Sequence, residues 1–106
     1  MMYRQGDVMI EAIDIIPAKV KRVARDNGRV VLAYGEVTGH AHAFRSDRVK
    51  MFRHDDTGDG VFLAVLGDSP ADLEHEEHSI ISIPPGSYRV TRQREYSPES
   101  IRQVAD

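Results

Sequence analysis

The feature that most constrains this chain is the shortness of its apolar runs. Each is four to seven residues long, rich in Val, Ile, Phe and Tyr, and closed by Gly, Pro, Asn or Asp. Such runs read as strands, and their recurrence every 8–12 residues predicts a β-sandwich or small β-barrel. The strands expected are Asp7 to Ile13, Arg29 to Gly35, His40 to Phe44, Val49 to Arg53, Val61 to Leu66, Ala71 to His75, His78 to Ile83 and Tyr88 to Tyr96. Ala18 to Arg25 fits a further strand or a short helix. Asp26-Asn27-Gly28 and Pro84-Pro85-Gly86 are turns, and Asp55 to Gly60 is another. Gly35 and Gly39 bracket a bulge or tight bend. Ser97-Pro98 can start a short C-terminal helix, with Ser97 as N-cap and Pro98 at the first helical position. The expectation is all-β, about seven or eight strands, in one domain spanning residues 1–106.

Composition narrows the function classes. With 14 Lys+Arg against 17 Asp+Glu, the formal net charge is −3. The basic footprint of a dedicated nucleic-acid binder is missing, so nucleic acid is disfavoured as a partner. Cys is absent, which removes disulfides, thiolate nucleophiles and Cys-ligated zinc. No apolar stretch reaches the roughly 18 residues of a membrane span, and the N-terminus lacks a signal-peptide pattern. These readings predict a soluble, cytoplasmic protein without membrane contact. The mean charge hides segregation: residues 19–53 hold nine basic and three acidic groups, whereas residues 55–77 hold eight acidic groups and no Lys or Arg. The two segments are expected to fold beside each other, or to form a partner surface or an acidic rim around a cation.

Four of the five histidines fall in two clusters, His40-Ala41-His42 and His75-Glu76-Glu77-His78. On a strand, side chains at i and i+2 share a face, so His40 and His42 project together. His75 and His78 converge whether they flank a two-residue hairpin turn or occupy one helical turn. Imidazole is a preferred ligand of Zn, Ni and Fe, so His40, His42, His75 and His78 are the candidate metal ligands, with zinc first. Glu76 or Glu77 can complete the ligand set, orient a ligating ring, or act as a base on bound water. His54, in its acidic turn, reads as a surface residue.

Tyr88 to Tyr96 alternates between two faces. Tyr88, Val90 and Arg92 share one; Arg89, Thr91 and Gln93 share the other. The polar second face fits an edge strand protected by charge. Alternatively, Arg89, Arg92 and Gln93 bind a small anionic ligand, since Arg pairs well with carboxylate or phosphate.

The string Gly35-Glu-Val-Thr-Gly-His-Ala-His42, with His75-Glu-Glu-His78, Pro84-Pro-Gly-Ser-Tyr88 and Arg92-Gln-Arg-Glu-Tyr96, resembles a family of uncharacterised small proteins of bacteria and their phages. The likeness runs from Gln5 to Arg102 and carries no established activity; it implies a protein of the bacterial cell, phage-encoded or not. A second, partial resemblance is to the cupins, metal-binding β-barrels. Gly35, His40, His42 and Asp47 look like a contracted first cupin motif, and Pro84-Pro85-Gly86 is similar to the cupin Pro-x-Gly turn. Arg89 and Gln93 stand where cupins carry His and Asn, so that likeness requires His75 or His78 as a substitute ligand. Three function classes follow: a metal-binding β-domain, a metal-dependent hydrolase acting on an anionic substrate with Glu76 or Glu77 as base, and a non-catalytic interaction module that forms homo-oligomers.

Overall fold

A computed structural model describes residues 1–35, 39–54 and 60–93. Every element among them is a strand: β1 (Met2–Gln5), β2 (Val8–Ile13), β3 (Val20–Arg22), β4 (Val30–Tyr34), β5 (Ala41–Phe44), β6 (Val49–His54), β7 (Val61–Val65), β8 (Ala71–Glu74), β9 (Ile81–Ile83) and β10 (Gly86–Arg92). They form a six-stranded antiparallel sheet, in the order β1-β2-β10-β7-β6-β3, and a four-stranded one, β4-β5-β8-β9. The all-β expectation holds, with ten strands rather than seven or eight. The two sheets do not close into a barrel; they share one core, which makes the architecture a sandwich. The segment at Ala18 to Arg25 contributes strand β3, not a helix. The turn expected at Asp55 and the helix expected at Ser97 lie outside the described residues. No helix is long and apolar enough to cross a membrane among those described.

Alternation decides which side chains meet. Val8 and Ile10 of β2, Leu63 and Val65 of β7, and Tyr88 and Val90 of β10 point inward from the large sheet. Val30, Phe44, Leu73 and Ile83 meet them from the small one. In β4 the pairing slips between Val31 and Ala33, a bulge that turns both Val30 and Ala33 to the core. All four residues of β5 are buried. Phe44 fills the core, while Ala41 and Ala43 lie with Val31 in a small apolar cluster of their own. The Asn27-Gly28 turn behaves as its sequence predicts. Both residues take positive φ (53° and 79°), and Asp26 and Arg29 exchange two backbone hydrogen bonds across it.

Strand β10 is not an edge. It lies between β2 and β7, paired with both. Its polar face is the solvated side of an antiparallel sheet, where a central strand keeps polar residues as readily as an edge does. The basic and acidic segments do meet: β5 pairs with β8 and β6 with β7. Arg45 and Glu74 form an ion pair at 3.0 Å, and Arg48 donates to the carbonyls of Leu66, Ser69 and Pro70 around the β7–β8 turn.

Candidate functional site

The site begins at a two-residue turn. Strands β1 and β2 are joined by Gly6-Asp7 alone, because Gln5 pairs with Val8. Gly6 has φ +60° and Asp7 has no positive φ, the pattern of a type II′ hairpin turn with Gly at its first central position. A side chain on Gly6 would also collide with the site, since a Cβ there would stand 2.8 Å from His78 Nε2 and 3.2 Å from His42 Cε1. The turn thus lets the backbone approach two imidazoles and carries the Asp7 carboxylate beside them.

The second contribution comes from β5. His42 shares the inward face with Phe44 and is 3% exposed. His40 precedes the strand, and its carbonyl accepts from Gly35 N–H at 2.8 Å. The third contribution is the β8–β9 connection, residues 75–80. It is neither a two-residue hairpin nor a helical turn, the two geometries expected for His75 and His78. A pair of glutamates suits neither central position of a type I′ turn, where positive φ is needed. The loop is instead bent over β5 by side-chain bonds. His75 Nδ1 accepts from the Glu77 N–H (3.0 Å), Glu76 Oε1 accepts from the Ala41 N–H (2.9 Å), and His40 Nδ1 lies 2.9 Å from Glu77 Oε2.

These elements bring four imidazoles together. Ring centroids are 4.2 Å apart for His42 and His75, 4.7 Å for His75 and His78, 5.8 Å for His42 and His78, and 5.9 Å for His40 and His75. With Asp7, Gly35, Glu77 and Arg92 they line an open cavity of about 250 Å³. Arg92 Nε donates to Asp7 Oδ2 at 2.8 Å, and its Nη2 donates to the Tyr34 carbonyl at 3.2 Å. Asp7 Oδ1 faces His42 Nε2 at 3.6 Å, too far for a hydrogen bond.

Electrostatics keep the His42 ring neutral and the Asp7 carboxyl ionised near neutrality. Burial, and next the electrostatic influence of the neighbouring His75, pushes the His42 pKa down from 6.5 to about 4. Burial works against the charge of Asp7, but the hydrogen bond and charge of Arg92 outweigh it and hold the carboxyl below its ordinary range. The Ala41 N–H likewise lowers Glu76.

A family described as a domain of unknown function (DUF8820) matches residues 4–93. The chain belongs to this family. No curated protein and no solved structure matches it. The matched span of this DUF8820 domain contains both histidine clusters and the Gly6-Asp7 turn.

Within the DUF8820 domain the residues singled out by sequence are placed unevenly. His40, His42, His75, His78, Glu77 and Arg92 line the cavity. Glu76 is on the neighbouring groove with Ala41, Ala43 and Arg45. Arg89 stands on the outer face of the large sheet, 3.8 Å from Glu11, and Gln93 accepts from Arg4 there. Asp47 is exposed in the β5–β6 turn, so the cupin-like grouping of Gly35, His40, His42 and Asp47 does not form around one point. His54 stays apart, edge-on to Phe62 at 5.3 Å. Among the described residues no three His, Cys, Asp or Glu side chains already present a ready-made metal site.

Two site residues escaped the sequence reading. Gly6-Asp7 is a pair suited to a tight turn, but Met2 to Gln5 before it carries no strand pattern that would mark a hairpin. Gln5 carried no signal of its own, since one buried amide in a short strand resembles any polar surface position.

Proposed function

We propose that the domain binds a divalent transition metal in the His-lined cavity, zinc first, with nickel or iron as alternatives. One observation carries this reading. His42 Nε2 and Asp7 Oδ1 face each other at 3.6 Å, with the ring held neutral and the carboxyl ionised at neutral pH. Two ligand atoms on one tetrahedral zinc, each about 2.0–2.1 Å away, stand roughly 3.4 Å apart. Tetrahedral zinc ligation likewise separates two ring centroids by roughly 5 Å, within the range the histidine rings span. His78 is exposed and His75 half-buried, so each can turn its ring toward an ion at modest cost. His40, held through Nδ1 by Glu77, keeps Nε2 for a ligand.

In this reading Glu76 and Glu77 anchor the 75–80 loop and orient His40, and Arg92 fixes the Asp7 carboxylate. A hydrolytic role for either glutamate would require it to leave those partners. Zinc titrated into chelator-treated protein and followed by calorimetry should bind at about one ion per chain. Asp7→Asn with His42→Gln should weaken binding at least 100-fold, because a tetrahedral site that loses two of its ligands loses most of its affinity. No zinc uptake by the wild-type chain, or equal uptake by the double variant, overturns the proposal.

A further inference from the structure

Gln5 is the last residue of β1 and is 3% exposed. A buried amide must spend its two N–H groups and its oxygen on partners. Its Nε2 lies 2.9 Å from the Leu73 carbonyl and 2.9 Å from the Ser79 carbonyl. Its Oε1 lies 2.9 Å from His42 Nδ1. Only one orientation of the amide satisfies this set, because turning it over would aim its oxygen at two carbonyl oxygens. The oxygen is therefore the atom presented to His42, and the hydrogen bond requires the proton to sit on Nδ1. A neutral imidazole has a single N–H, so Nε2 is left as a lone pair.

The ring has a competing choice. With its proton on Nε2, His42 would donate toward Asp7 Oδ1, the other acceptor it faces. We infer that Gln5 is a positioning residue: it settles this competition by fixing the His42 proton on Nδ1, and it ties the histidine-bearing loop to the same strand. The two carbonyls it grips stand before and after His75-Glu76-Glu77-His78, and the Asp7 turn follows it directly in the chain. One side chain thus sets the relative position of all three contributions to the cavity. Its bearing on metal binding rests on the reading above; its control of the tautomer does not.

The test is made on the full chain, metal-free, by long-range ¹H–¹⁵N correlation of the His42 ring at a pH where the ring is neutral. The wild type should show a protonated Nδ1 and an unprotonated Nε2. Gln5→Met, close in volume but without an amide, should move the proton to Nε2. Asp7→Ala, which removes the rival acceptor and leaves Gln5 in place, should keep it on Nδ1. A wild-type ring protonated on Nε2 overturns the inference without any variant, so a Gln5→Met chain that fails to fold leaves it exposed to refutation. A shift of the proton in Asp7→Ala, or no shift in folded Gln5→Met, overturns it too. Zinc affinity should fall about 10–100-fold in Gln5→Met, as when the partner of a ligating imidazole is removed. A wild-type ring with the expected tautomer that takes up no zinc refutes the metal reading and leaves the positioning role standing.

Discussion

Phe44→Ala is expected to cost about 3–5 kcal/mol of folding stability. The side chain has no exposure and is the largest of the fully buried set. It sits in β5 opposite Val30 on one side and Leu73 on the other, so both neighbouring strands lose their contact at once. The lost transfer energy adds to the cavity left by a ring that surrounding strands cannot collapse to fill. Domains of this size hold about 5–15 kcal/mol in total, so the variant would lose a large share of its margin. Its thermal midpoint should fall by roughly 15–25 °C, read by circular dichroism. Ile80→Ala, at an exposed position, should change stability by less than about 0.5 kcal/mol. A loss below about 1 kcal/mol for Phe44→Ala would mean that the two sheets do not share the core described.

Lowering the pH from 6.5 toward 4 should remove about 2–3 kcal/mol of stability through His42 alone. The unfolded chain takes up a proton on this ring near pH 6.5, whereas the folded chain resists until about pH 4. The contribution is therefore complete above pH 6.5 and is lost progressively down to about pH 4. Asp7 acts in the same direction lower down, since its folded pKa is depressed and its share is lost below the ordinary carboxyl value of 3.8. Urea unfolding of metal-free protein across this range measures the slope. In His42→Gln the part of the slope between pH 6.5 and 4.5 that belongs to this ring should vanish. Equal slopes in the two proteins would show that the ring is not held neutral.

Much of the architecture was legible because period-2 patterning and turn chemistry agree locally. Arg29 to Gly35, Val49 to Arg53 and Val61 to Leu66 became strands within a residue or two of expectation. Strand β1 was not legible, because its one buried residue is a glutamine and only Tyr3 beside it packs, partly, against the core. The spacing of the histidines within each cluster was informative, yet their meeting was decided by the pairing of β5 with β8, about 30 residues apart in the chain. No local pattern records such a pairing. The same holds for Arg92, which reaches Asp7 across 85 residues through the β2–β10 ladder. Its neighbour Arg89 is chemically equivalent in the sequence and differs only in which face the ladder gives it.

The register of β5 has a consequence for how the site comes into being. A slip of β5 by one residue would turn His42 and Phe44 outward and put Ala41 and Ala43 in their places. The same slip would remove the largest fully buried side chain and break the bond from His42 to Gln5. Correct register and a complete cavity are thus a single outcome, and the small sheet proofreads its own assembly: a mispaired chain has neither a filled core nor histidines facing Asp7.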